Sequence, residues 1–354
     1  MRPRLTRREL LRRLAGLGLG ALASGWTLGS CGSRETPQSA QPTAPPTVQA
    51  AVPQATPSKV SPTISATPLP ATPTAAPTAM PTMAYPRLAV ARGGEPEELV
   101  RAAMAALGGM HRFVRQGDDV IIKPNICVAY HTFEYAATTN PWVVAELVRM
   151  CLDAGARRVR VMDSPFGGGA EEAYVRSGIQ EQVLAAGGQM EIMARFKFVA
   201  TPIPDGLDLR TKDIYDDALS ADVLIDVPIA KHHSLARLTL AMKNLMGLIT
   251  NRPEMHANLG QRLADLTSRI RPHLTVVDAV RTLMDHGPTG GSLDDVRKTD
   301  TVIASPDIIA ADSYAATLFG LLPDDLDYVR AGVSMGLGRS DLGNLKIEEI
   351  TVGT

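Results

Sequence analysis

From residue 87 onward the chain alternates between short runs of aliphatic and β-branched residues and longer stretches whose apolar positions recur at helical spacing. The short runs predict strands at 88–91, 120–123, 159–162, 223–227, 274–277 and 301–304, with a last strand within 345–352. The periodic stretches predict helices at 95–107, 141–154, 170–177, 258–270 and 308–319. Pro141 suits a first helical position, where a missing N–H costs nothing, and Gly155 suits the positive φ just beyond a helix end. Regular strand–helix alternation implies an α/β fold, a mainly parallel sheet covered by helices on both faces. Residues 191–217 break the rhythm with Pro202, Pro204 and Gly206, and predict a small inserted lobe or hairpin.

Ahead of residue 87 the pattern changes. Six arginines and Glu9 crowd the first 13 residues, and an uncharged Leu/Ala/Gly-rich run then leads into Leu28-Gly29-Ser30-Cys31. A basic start and an apolar run too short to span a bilayer predict an export signal, 1–31, whose lipobox Cys31 becomes the lipidated residue. Within it, Thr6-Arg7-Arg8-Glu9-Leu10-Leu11 resembles a twin-arginine export motif. Thirteen of the 26 prolines then fall between Pro37 and Pro86 among Thr, Ala and Ser, with Lys59 the only charge after Glu35. Such a composition buries too little apolar surface to offset its ordering entropy, so 32–86 predicts a disordered stalk with hydroxyls open to glycosylation. The expected location is the outer side of the cytoplasmic membrane or the cell envelope, with Cys31 as the membrane contact.

Charge narrows the choice of partners. The whole chain holds 36 basic and 37 acidic residues; setting aside the six arginines and Glu9 leaves 30 and 36 from Cys31 onward, a net of −6. A mildly acidic domain with 4% aromatics is poorly suited to nucleic acid, which needs a basic footprint and stacking platforms. Three cysteines are too few for a four-thiolate iron–sulfur cluster. Cys127 and Cys151 read as separate core thiols, although an exported protein would allow a disulfide between them.

The candidate chemistry lies where strands end. The runs finish at Lys123-Pro124-Asn125, at Asp163-Ser164, ahead of Lys231-His232-His233, and at Asp278. Ligands of open parallel sheets bind outside the carboxyl ends of the strands, so these polar residues predict one site. Gly167-Gly168-Gly169 and the loop from Gly287 to Gly291 offer backbone amides for an anion, but neither is a P-loop or a dinucleotide fingerprint. Between Lys231 and Asn244 two lysines, two histidines and an asparagine sit among Leu, Ala and Met, and a buried lysine requires an offsetting anion. Lys123, Lys231 and Lys243 would hold the charge of a small anionic ligand, Asn125, Asn244, Gly287 and Gly291 would orient it, and His233 with Asp163 or Asp278 would move protons. A metal reading would use His232, His233, His256 and Asp278, with His256 its weak candidate, but adjacent histidines point apart and no His-x3-His pair is present.

In order along the chain, Lys123-Pro124-Asn125, Thr139-Asn140-Pro141, Asp163-Ser164-Pro165, Lys231-x-His233, Lys243-Asn244-x-x-Gly247, Asp278-Ala279 and Gly287-Pro288-x-x-Gly291 together resemble domain-of-unknown-function family 362. The resemblance runs from about residue 88 to Gly320 and implies an α/β domain often labelled iron–sulfur associated. This chain departs from that label, since it has no Cys-x-x-Cys series, and the family supplies no reaction. Three readings stand: an enzyme acting on a small anionic substrate, which is preferred; a non-catalytic lipid-anchored anion-binding protein; and a redox protein carrying a metal or cofactor.

Overall fold

In a computed structural model, which describes Tyr85 and residues 87–353, the alternation resolves into twelve strands and nine α-helices among the described residues. The export signal, Cys31 and the stalk lie outside the described residues. In chain order the elements begin β1 (Leu88–Arg92), α1 (Pro96–Ala106), β2 (Asp119–Pro124), α2 (Pro141–Asp153), β3 (Arg158–Val161), α3 (Ala170–Arg176), α4 (Ile179–Ala185) and β4 (Gln189–Met190). They continue through β5 (Phe198–Pro202), β6 (Thr211–Tyr215), α5 (Asp216–Ser220), β7 (Val223–Val227), β8 (Ile229–His233), β9 (Arg237–Thr239) and α6 (Ala241–Asn244). The last are α7 (Leu259–Ile270), β10 (Leu274–Leu283), β11 (Val296–Ser305), α8 (Ile308–Thr317), α9 (Asp327–Ser334) and β12 (Ile347–Thr351).

The main sheet runs β12-β1-β11-β10-β7-β2-β3-β4, with β8 paired to β10 and β9 to β8. Only β11 (against β1 and β10) and the β8–β9 pair run antiparallel, so the sheet is mainly parallel. Burial on both faces explains why its strands read as continuous apolar runs. Ile121, Leu224, Val277 and Ile303 point to one face, where Met242, Leu263, Ile309 and Val329 of α6 to α9 cover them. Val120, Ile122, Ile225 and Val276 point to the other, against Leu99 and Met104 of α1 and Leu147 and Val148 of α2. Asn140 caps α2 by accepting from Trp142 N at 3.0 Å, and Pro141 follows at the first helical position.

The rhythm-breaking segment contains the hairpin β5–β6, a separate two-stranded antiparallel sheet. Its loop is pinned by the Asp265 carboxylate on α7, which accepts from the backbone N–H groups of Leu207, Asp208 and Leu209. Near the amino ends of β2 and β3, buried Arg160 binds Asp119, Glu191 and Asp217 together.

One expectation is corrected by strand length. β10 continues through Asp278 to Leu283, so Asp278 lies inside a strand and not at its end. A carboxylate is tolerated there because Asn140 N donates to it at 2.7 Å and Val280 N at 2.9 Å.

Candidate functional site

The carboxyl ends of β2 and β3, the β8–β9 hairpin and α6 with its following turn converge on a cavity of about 280 Å3. Lys123, Asn125, Cys127, Asp163, Lys231, His233, Thr239, Lys243, Asn244, Gly247, Arg252 and His256 all contribute to its wall. The apolar share comes from Ile126, Phe166, Leu235, Met246, Pro253 and Pro288. The structure brings Lys123, Asn125, Asp163, Lys231 and His233 to this cavity from the strands, and Lys243, Asn244 and His256 to it from α6 and the turn beyond.

Convergence does not make these residues equivalent. Lys123 Nζ donates to Asp163 Oδ1 at 2.7 Å, to Pro124 O at 2.9 Å and to Asn244 Oδ1 at 3.1 Å. An ammonium has three donors, so Lys123 has none left for a ligand, and its expected ligand-holding role is corrected to that of a buried strut. Asp163 is similarly engaged, its Oδ2 accepting from Ile126 N at 2.7 Å. Lys231 Nζ donates to Ala137 O at 2.6 Å and Asn125 Oδ1 at 3.0 Å, and it also contacts the Cys127 thiol. Burial pushes the Lys231 ammonium below its ordinary range, partly countered by Cys127. Asn125 Nδ2 donates to Asn244 Oδ1 at 2.9 Å, and Asn244 Nδ2 donates to Asp226 Oδ1 at 2.8 Å. These residues form a closed polar floor, its members spent on one another.

Gly247 shows how tightly the floor is covered. A Cβ at this position would lie 2.0 Å from Asp163 Oδ1 and 2.6 Å from Lys123 Nζ. Only a residue without a side chain lets the turn after α6 pass over the ion pair. At the far edge of the floor, Asp226 is fully buried and its Oδ2 is without a partner. Burial raises its carboxyl well above the usual range despite nearby Lys123.

The groups still able to meet a ligand lie above this floor. Lys243 is buried in the wall and makes no hydrogen bond or ion pair among the described residues. Burial, then the repulsion of Lys231 and Arg252, lowers its ammonium to about 8. Its position is set by Asp312 of α8, whose carboxylate accepts from Ala241 N at 2.7 Å and Met242 N at 3.0 Å and so anchors the start of α6. Arg252 spends one N–H on Ser164 O at 2.6 Å and has no carboxylate partner among the described residues. Thr239 Oγ1 is buried in the wall with no partner.

His233 is corrected as a proton carrier. Its Nδ1 accepts from Leu235 N at 3.1 Å and Ala236 N at 3.3 Å, which assigns the ring proton to Nε2. Burial, followed by the positive fields of Lys243 and Lys231, lowers its pKa to about 3. A neutral imidazole already protonated at Nε2 cannot accept a proton there at neutral pH, so His233 is a fixed hydrogen-bond donor. Exposed His256 is also lowered, by burial and by Lys243.

Three expected residues stay outside. Asp278 does not line the cavity; it fixes the entry to α2, and burial raises its carboxyl to about 6. Gly287 and Gly291 likewise do not line it. Gly287 N donates to His232 Nδ1 at 3.1 Å and packs so close to β8 that a Cβ would sit 1.8 Å from His232 O. That approach brings Pro288, not an amide cradle, to the cavity wall. For the metal reading, no group of three His, Cys, Asp or Glu side chains converges among the described residues. Cys127 and Cys151 are both buried and free, with the Cys151 thiol pushed up to about 12 by burial. Sequence reasoning missed Arg252, Thr239 and the wall position of Cys127. The pair Arg252-Pro253, shortly after Lys243-Asn244-x-x-Gly247, was the available signal.

Comparison with known proteins identifies the family. A thylakoid-associated protein of Synechocystis sp. is 26% identical over 253 residues, covering 67% of this chain and 74% of its own length. Among solved structures, the lactate racemase apoprotein of Thermoanaerobacterium thermosaccharolyticum aligns with a TM-score of 0.39 and 11% identity over 60% of this chain. A Thermotoga maritima protein aligns with a TM-score of 0.36 and 12% identity over 65% of it. The alignments span 53% and 60% of those two chains. The model of the family described as Domain of unknown function (DUF362) matches residues 120–317, more than half of the sequence and all of the cavity floor, and the chain belongs to that family.

Proposed function

We propose that the cavity binds a small anion and that the protein is an enzyme acting on it. The observation that carries this reading is the pair of cations, Lys243 and Arg252, that face the cavity without a carboxylate of their own. Cations packed together without a counter-ion repel each other, and a bound anion relieves that repulsion. The closed floor beneath them keeps Asp163 occupied with Lys123, so it does not neutralise them. The enzymatic side of the reading rests on two further features. Lys243, at about 8, is close enough to neutrality to lose and regain a proton, and His233 holds an N–H donor in a fixed direction.

The test is titration calorimetry of the full chain with propionate and with inorganic phosphate. Saturable binding that weakens at least about tenfold (about 1.4 kcal/mol) in both Arg252→Gln and Lys243→Met supports the site. Absence of saturable binding, or equal affinity in both variants, removes it. For location, we propose export and anchoring through Cys31, supported by the basic, apolar and Cys-terminated order of residues 1–31. Fatty-acid labelling that persists in Cys31→Ser would overturn that assignment.

A further inference from the structure

We infer that Lys243 is a covalent nucleophile, and that the small anion of this site is an oxo acid whose carbonyl carbon condenses with Nζ to form an imine. The inference rests on the anion-site reading above and names its substrate class. It starts from a contrast between lysines in one wall. Lys123 is given Asp163 and two oxygen acceptors, and Lys231 is given Asn125, Ala137 O and the Cys127 thiol. Lys243, nine-tenths buried, is given no hydrogen-bond acceptor. Burial, then Lys231 and Arg252, push its ammonium down, the Cys127 thiol partly counters them, and His233 and His256 stand near enough to feel its charge.

A lysine needed only for its charge is stabilised by acceptors. A lysine needed as a nucleophile must shed a proton near neutral pH, and desolvation beside other cations is how a protein achieves that. Part of the cavity lining is apolar, supplied by Met246, Leu235 and Phe166, which further disfavours a charged amine there. The remaining groups match the other needs of the reaction. Arg252, whose planar guanidinium matches a carboxylate's two oxygens, is suited to the carboxylate of the acid. His233 Nε2–H and the unpartnered Thr239 hydroxyl are donors for the carbonyl oxygen as it gains charge.

The step balances without any other reactant. The neutral amine adds to the carbonyl carbon, forming the C–N bond while the π electrons move to oxygen. The two protons released from Nζ go to that oxygen, the C–O bond breaks, and water leaves as the C=N bond closes. The imine then withdraws electrons from the adjacent carbon, which is the chemistry such a covalent link supplies.

Borohydride reduction of the full chain in the presence of pyruvate or 2-oxobutyrate, read by intact mass and peptide mapping, tests this directly. The expected result is one adduct per chain, heavier by the acid less one oxygen atom, located on Lys243. It should be lost in Lys243→Met and slowed in His233→Ala. Mapping on the wild type keeps the test valid should either variant fold poorly. Propionate, which has no carbonyl, reports the anion site alone. Propionate binding without an adduct from either oxo acid, or adducts spread over surface lysines and undiminished in Lys243→Met, overturns the covalent role and leaves the anion site standing. Neither binding nor adduct overturns both.

Discussion

Replacing Gly247 with alanine places a methyl group in space held by the Lys123–Asp163 pair. The new Cβ would be 2.0 Å from Asp163 Oδ1, 2.6 Å from Lys123 Nζ and 2.7 Å from Lys123 Cε, against an ordinary contact of 3.4 Å or more. Both contacted atoms end side chains, which normally makes yielding cheap. Here they are fixed: the pair is 2.7 Å apart, Asp163 also takes Ile126 N, and Lys123 also serves Pro124 O and Asn244. Relief of the clash requires a shift of roughly 1 Å, enough to take those bonds outside the usual distance window. Disrupting a buried ion pair costs about 3–5 kcal/mol. Removing a glycine from a helical turn returns about 0.5–1 kcal/mol. The net expectation is a loss of about 2–4 kcal/mol, measured as the shift in urea midpoint of the full chain followed by circular dichroism. In a Lys123→Ala, Asp163→Ala background the same substitution should cost far less, because the side-chain atoms that obstruct the new Cβ are gone. A loss below about 1 kcal/mol in the native background, or an equal loss in both backgrounds, would refute the strut role of the pair.

Two further outcomes follow from buried titrating groups. His233 should remain a neutral Nε2–H imidazole from pH 8 down to about pH 5, seen in long-range nitrogen–proton spectra, since its pKa is lowered to about 3; an imidazolium signal appearing near pH 6 would restore it as a proton carrier. Burial raises Asp312 to about 7, partly countered by its hydrogen bonds from Met242 and Ala241. Because the folded form then binds the proton more tightly than the unfolded chain, its contribution to stability is full below about pH 4 and is lost as pH rises to about 7. Asp312→Asn should therefore flatten the fall in urea midpoint across that window; an unchanged slope would show that Asp312 does not titrate there.

Much of the architecture was readable from periodicity. Strands buried on both faces betray themselves as unbroken apolar runs, and β1, β2, β3 and β7 lie within a residue or two of the expected limits. The hairpin β8–β9 was not anticipated, because Lys231-His232-His233 lacks any apolar run and is held as a strand by backbone pairing with β9, and at Lys231 with β10. Short α6 escaped for a similar reason: its four residues are too few for a helical period, and Asp312, 71 residues away, holds its first turn.

The site divides along the same line. That Lys123, Asn125 and Asp163 gather at one sheet edge follows from where parallel strands end, and the sequence alone determined it; Lys231 on β8 and Lys243 and Asn244 on α6 are brought there by tertiary pairing. Which of them remains available was decided only by the tertiary structure. Each ammonium or amide looks alike in a sequence, but Lys123 spends its donors on Asp163, 40 residues on, Asn244, 121 residues on, and Pro124 O, and Asn125 is tied to Asn244 and Lys231, while Lys243 meets no acceptor. Hydrogen-bond capacity is a property of partners in space. A chain that lists donors cannot reveal which are already spent, and burial, which shifts Lys243 down and Asp226 up, is set by the same distant packing.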